Sequence, residues 1–218
     1  MQIDHVYIRA YAGAPEAQLL REFGLTEGTA NTHPGQGTAN RRFFFANAFI
    51  ELLWMADREE ITSAQTQPTM LFERLACDDM RTSPFGVCFR PSGDGALPFP
   101  AWAYRPGYLP AGMQVDIGSN TPLSEPMWFH LSFATAPAAW PPERQQPLHH
   151  PAGLERITSL SITLPKGSQL SPAAHAVAAS GDITLIEGDA HLLEIEFDAG
   201  KRGLVHDFSP HLPLRLRY

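Results

Sequence analysis

A single carboxylate stands in the middle of an otherwise apolar stretch, Ala48-Phe49-Ile50-Glu51-Leu52-Leu53-Trp54, and it limits what the chain can become. Residues 48–54 read as a strand. An ionised group taken into such a strand is costly unless it is paired, protonated or bound to a cation, so Glu51 needs a partner. The first strand, Ile3-Asp4-His5-Val6-Tyr7-Ile8, carries an imidazole, and His5 is the obvious candidate. Side chains alternate along a strand, which puts Phe49, Glu51 and Leu53 on one face.

The elements around these two strands follow a clear order. The strand at residues 2–10 is followed by a short helix over 15–24, with Pro15 near its start and Gly24 just beyond its end. Residues 28–32, 38–45 and 48–55 are β-rich, separated by His33-Pro34-Gly35-Gln36-Gly37 and by a tight turn at Ala46-Asn47. The result is β-α-β-β-β. An outer helix is predicted over 68–76, and a strand returns at 85–90. Residues 91–126 are rich in Pro and Gly, yet Trp102, Tyr104, Tyr108 and Met113 are too apolar for a disordered linker. An ordered crossover packed on the body is expected there, then a strand at 127–135 and a surface connection at 136–151.

From residue 157 the order recurs: strand 157–164, helix 172–180, strands 183–187, 192–197 and 203–208, with 214–218 continuing the sheet. The two copies share hardly any residues, so the duplication is one of element order. The expected organisation is a first βαβββ module with an extra helix and strand (1–90), a Pro/Gly-rich crossover with one strand (91–156) and a second βαβββ-like module (157–218), all in one structural domain.

The 218 residues, 44% of them hydrophobic, are enough to bury a core without staples. A net charge of -7 and no Lys/Arg cluster exclude nucleic acid and anionic membrane as partners, leaving small molecules or proteins. There is no basic segment leading into an apolar one at the start, and no run near the ~18 apolar residues of a membrane span, so the expected location is the cytoplasm. Cys77 and Cys88 make neither a disulfide framework nor metal-ligand spacing, and are read as free thiols. Without a Gly-rich phosphate loop or a Gly-x-Ser-x-Gly elbow, neither a nucleotide cofactor nor serine hydrolysis is expected.

Ile-Asp-His-Val on the first strand, Gly-Gln-Gly-Thr-Ala-Asn-Arg-Arg-Phe leading into the third and Phe-Ile-Glu-Leu-Leu-Trp on the fourth together resemble the glyoxalase-like branch of the vicinal oxygen chelate superfamily. The resemblance is good over residues 1–55, weaker through the loop at 102–110, and only topological after 157. It implies an α+β fold in which two βαβββ modules curl a mixed sheet into a half-barrel cup with outer helices. It also implies a divalent metal, Zn, Fe, Mn or Ni, with ligands from the first and last strands of each module. His5 and Glu51 take those positions in the first module. In the second, Ser159 stands at the first-strand position and is a poor ligand, while Glu194 and His206 are candidates on later strands. Aligning the turn Asp198-Ala199-Gly200 with Ala46-Asn47 makes His206 the counterpart of Glu51, and His5, Glu51 and His206 then resemble a two-His-one-carboxylate set with open positions.

Asn40, Arg41, Trp54, Tyr104 and Arg105 are the expected substrate-pocket residues. Of the adjacent Arg41 and Arg42, one points inward, where a guanidinium is suited to clamp a carboxylate or enediolate oxygen. His33, in a Pro/Gly loop, is read as a bystander at the cup's mouth, and His149 and His150 as solvated among prolines. Two functions follow. One is a metal-dependent lyase/isomerase or dioxygenase acting on adjacent oxygens, with Glu51 as ligand and catalytic proton shuttle. The other is a metal-free protein that sequesters a small hydrophobic or aromatic compound, with His5 and Glu51 as a structural pair. A monomer or a homodimer accommodates either.

Overall fold

A computed structural model describes residues 1–77, 79–93 and 97–218. Residues 94–96 of the expected crossover therefore lie outside the described residues. The chain opens with β1 (Gln2–Arg9), α1 (Ala17–Phe23), β2 (Asn31–His33), β3 (Thr38–Phe44) and β4 (Phe49–Met55). Helix α1 stops at Gly24, whose φ of 103° is left-handed backbone that favours glycine. Strand β1 runs parallel to β4, with His5 opposite Phe49 and Tyr7 opposite Glu51. Strands β4, β3 and β2 follow antiparallel.

Next come α2 (Arg58–Ile61), α3 (Leu71–Ala76), β5 (Phe85–Arg90), β6 (Ala101–Tyr104), β7 (Val115–Gly118) and β8 (Met127–His130). The pairing of the first four strands repeats here. Strand β5 is parallel to β8, and β8, β7 and β6 are antiparallel. The two halves meet where β1 and β5 pair antiparallel, giving one eight-stranded sheet in the order β2-β3-β4-β1-β5-β8-β7-β6. This is the curled mixed half-barrel of the expected α+β class.

The second half of the cup thus comes from residues 85–130, and not from the 157–218 segment expected to supply it. No helix follows β5 among the described residues, and β6, β7 and β8 are four residues each, so the signal of a strand–helix repeat is missing. The C-terminal elements do form near their expected bounds, as β9 (Ile157–Pro165), α4 (Pro172–Ala178), β10 (Ile183–Gly188), β11 (Leu192–Phe197), β12 (Val205–Asp207) and β13 (Leu214–Arg217). They pair differently, in a separate five-stranded sheet ordered β10-β9-β11-β13-β12.

A sheet with one apolar face has to bury it. Leu160, Ile162 and Leu164 alternate along β9 and pack with Leu193, Ile195 and Phe197 into one core with Val6, Ile8, Ile50, Leu52, Val87 and Phe89. Those last six lie on the face of the large sheet opposite His5 and Glu51. The second sheet therefore covers the back of the cup and leaves its concave front open.

Polar seams fix the two sheets. The Asn47 side chain donates to Ile157 O at 2.7 Å and accepts from Ile157 N at 3.0 Å. Buried Glu125 accepts from the Ser171 backbone (2.6 Å), the Ser171 hydroxyl (2.7 Å) and the Trp128 indole (2.9 Å). His150, expected to be solvated, is buried as well. Its Nδ1 accepts from Thr26 N at 2.9 Å, and its Nε2 faces Phe44 O at 2.8 Å. The neutral tautomer with its proton on Nε2 satisfies both.

Burial holds the His150 imidazole below its usual pKa, against the opposing pull of the Phe44 carbonyl. The unfolded chain then takes up this proton at higher pH than the native one. The stability His150 contributes is complete above about pH 6.5 and is lost as the pH falls through the lowered folded value. Urea midpoints are expected to decline between about pH 7.5 and about pH 5, and to decline less in His150→Asn. Equal declines in the two proteins would contradict this.

Candidate functional site

The concave face encloses a cavity of about 440 Å³, a size suited to a small organic ligand. Its polar floor is built from the three central strands of the first module. Strict alternation would turn Asp4 away from His5. The β1–β5 register instead steps from Ile3↔Phe89 to His5↔Cys88, so Asp4 is the extra residue of a β-bulge. The bulge brings both side chains to the cavity, and Asp4 Oδ2 lies 2.8 Å from His5 Nδ1. Asp4 in turn sits 3.5 Å from the Arg90 guanidinium, which donates to Ile3 O and Asn47 O. The His5 ring is stacked on Phe49 at 4.3 Å and meets the edge of Phe129 at 5.3 Å.

With Nδ1 committed to Asp4, the His5 Nε2 faces Glu51 Oε2 across 3.5 Å. The other Glu51 oxygen accepts from Asn40 Nδ2, and Asn40 Oδ1 is held by Asn31 N at 2.8 Å. His5 and Glu51 are 7% and 5% exposed. The structure thus brings together the imidazole and the carboxylate that the sequence singled out, and Asn40 joins them.

Tyr7 follows His5 on the same face, and its buried hydroxyl has no hydrogen-bond partner among the described residues. Gly86 makes room for it, since a Cβ there would stand 2.1 Å from the phenol ring. Burial pushes the Tyr7 pKa up to about 12, with Arg74 opposing and Glu51 adding to the rise, so at neutral pH the group is a donor aimed at the cavity. His33 also lines the cavity, with Nδ1 2.8 Å from Thr38 Oγ1 and its ring 5.0 Å from Tyr108. Burial lowers its pKa and keeps it neutral.

The other expected site residues divide. Tyr104 lines the cavity. Arg41 does not: its Nε and Nη2 grip Glu27 at 2.6 Å each and its Nη1 donates to Ala14 O, while Arg42, two residues from Asn40, is the arginine that faces in. Trp54 packs against the core behind the sheet. Arg105 is exposed and donates to Gln114 at 2.8 Å. His206 lies on the exposed edge strand β12, packed on Phe23 and Phe208. Ser159 bonds to Glu196 at 3.4 Å, and Glu194 faces Arg215 and Arg217. These three belong to the sheet behind the cup, so none of them joins His5 and Glu51.

In the cup's own second half, the residues facing the floor are Cys88, Met127 and Phe129. Asp4, His5 and Cys88 have ligating atoms within 4.8 Å of one another. Burial, Asp4 and Glu51 all push the Cys88 thiol well above its ordinary pKa. Sequence reasoning missed Asp4 and Tyr7, read His33 as a bystander, and listed Arg41 rather than Arg42 for the pocket. Alternation alone pairs Tyr7 with His5 and Arg42 with Asn40, whereas the bulge at Asp4 leaves no such signal.

The glyoxalase-like domain family matches residues 3–98, which span β1 to β5. That match covers the first half of the cup and not the rest of the chain. Among solved structures, a hypothetical protein from Staphylococcus aureus superposes with a TM-score of 0.51 at 9% identity, over 99% of this chain and 98% of that one, and shares its fold. A triple mutant of 4-hydroxymandelate synthase from Streptomyces coelicolor aligns with a TM-score of 0.44 at 14% identity, over 90% of this chain and 70% of that one. No curated protein matches in sequence. Among the described residues, no helix is long and apolar enough to cross a membrane.

Because the Tyr7 hydroxyl has no hydrogen-bond partner among the described residues, Tyr7→Phe is expected to unfold within about 1 kcal/mol of the parent in urea. Gly86→Ala, which forces the ring aside, is expected to cost about 1–3 kcal/mol. A loss of about 2 kcal/mol or more in Tyr7→Phe would show that the hydroxyl is structural.

Proposed function

We propose that the protein is a metal-dependent enzyme of the glyoxalase-like type, a lyase/isomerase or dioxygenase acting on a small molecule with two adjacent oxygens. The observation that carries this reading is the gap between His5 Nε2 and Glu51 Oε2. At 3.5 Å it is long for a hydrogen bond, and close to the span between two ligands each ~2.0–2.2 Å from one divalent ion.

The surroundings support the same reading. A carboxylate on the far nitrogen of an imidazole fixes the ring and turns its other lone pair toward a metal, and Asp4 stands in that relation to His5. Asn40 orients Glu51 in the same way. The donor set suits Zn, Fe, Mn or Ni, and two protein ligands leave positions for water and for a chelating substrate. When bound, the cation supplies Lewis-acid stabilisation of charge developing on the substrate's oxygens.

The chain's own groups do the rest. Glu51 is placed to accept a proton from the substrate at a carboxylate oxygen, Tyr7 donates a hydrogen bond to a substrate oxygen at the floor, and Phe49, Phe129 and Tyr104 exclude water. The net charge of -7 and the partly open cavity support a small-molecule partner and a cytoplasmic setting.

One observation favours the second reading, a metal-free protein that sequesters a small aromatic compound. Among the described residues, the second half of the cup lines the cavity with Tyr104, Val115, Met127 and Phe129, sets Cys88 beside His5, and adds no imidazole or carboxylate. Elemental analysis of untagged protein separates the two. The enzyme reading expects about one equivalent of metal, lost in His5→Ala and in Glu51→Ala while circular dichroism shows both folded. No bound metal after incubation with Zn, Mn, Fe and Ni would overturn the enzyme reading and favour the sequestering protein.

A further inference from the structure

The floor of the cup accounts for its carboxylates and His5, and leaves two cations on the cavity wall unused. Arg42 enters from β3. Its Nε donates to Thr29 O at 2.9 Å and its Nη2 reaches Thr29 Oγ1 at 3.3 Å, so the guanidinium is tethered on one side only. Its central carbon lies 5.1 Å from the Phe44 ring centre and 6.0 Å from that of Phe49. Arg144, also on the cavity, stands 5.0 Å over Trp140. The Trp140 ring packs 5.6 Å from Phe44 and 6.5 Å from Phe49, so the two arginines flank one aromatic wall.

Among the described residues neither Arg42 nor Arg144 has a carboxylate within ion-pair distance. The chain carries a net charge of -7, and Arg41 and Arg215 are held by Glu27 and Asp207, whereas half-buried Arg42 and exposed Arg144 keep their charge on the cavity. Two like charges facing one cavity repel each other and attract an anion into it. A guanidinium also matches the geometry of a carboxylate better than that of any neutral group.

We propose that the cup's ligand is an aromatic or apolar carboxylate, its body lying against Phe49 and Trp140 and its carboxylate held by Arg42 and Arg144. This rests on reading the cup as a small-molecule site, and adds where the ligand's charge goes. It assigns Arg42 and Arg144 to substrate selection, apart from the His5–Glu51 floor.

Naphthalene-2-carboxylate and naphthalene-2-methanol share one body and differ in charge, and isothermal titration calorimetry with both probes tests the assignment. The wild type is expected to bind the carboxylate about tenfold more tightly, with the preference shrinking as salt is raised. The preference should vanish in Arg42→Gln/Arg144→Gln and persist in Glu51→Gln. Unchanged affinity of the double variant for the neutral alcohol shows that its cavity is intact. A preference that survives in the double variant overturns the proposal, as does equal binding, or no binding, of the two probes by the wild type. A preference lost in Glu51→Gln but kept in the double variant would place the carboxylate on the floor, overturning the proposal while leaving the metal reading standing. Absence of metal would end the enzyme reading without touching the charge preference.

Discussion

The Glu51 carboxylate on an apolar strand takes a hydrogen bond from Asn40 on β3 and faces the His5 imidazole on β1 across 3.5 Å, and much else in the cup follows from its need for a partner. Parallel pairing of β1 with β4 puts the imidazole beside the carboxylate. A slip of one residue would turn every side chain of a strand to the other face, driving Glu51 into the core and Ile50 or Leu52 into the cavity. The cost of burying an unpaired charge therefore fixes the register of the three strands that form the floor. The bulge extends the same logic by one residue, bringing Asp4 onto His5 and anchoring it near Arg90.

The two faces of the large sheet have separate tasks. The back is apolar and is sealed by the five-stranded sheet, which anchors itself through Asn47 and through Glu125 with Ser171. That seal leaves the front free to carry the neutral His33, a Tyr7 hydroxyl without a hydrogen-bond partner among the described residues, and Arg42 and Arg144. Polar groups left without partners in the protein are where a ligand is recognised, because binding supplies what folding did not.

Much of the first module was legible in the sequence because it obeys simple periods. The apolar alternation around Glu51, the proline and glycine that bracket α1, and the need to pair a buried charge led to His5 and Glu51 without coordinates. The same period decides between the arginines: Asn40 and Arg41 are adjacent and cannot share a face, so the inward one is Arg42. Asp4 was not legible, because a bulge is a break in the period and has no signature in composition. The second half of the cup was hidden by its short strands and by the lack of a helix after β5. The order of elements after residue 157 imitated a module, but order does not determine pairing, and that is why His206, Ser159 and Glu194 were looked for at a floor they never reach.

Whether His5 and Glu51 share a cation is tested most directly by anomalous diffraction from crystals grown with zinc. The expected map has one peak ~2.0–2.2 Å from both His5 Nε2 and Glu51 Oε2, with Asp4 still on Nδ1. A peak elsewhere, or none there with Nε2 bonded straight to the carboxylate, would contradict the metal centre.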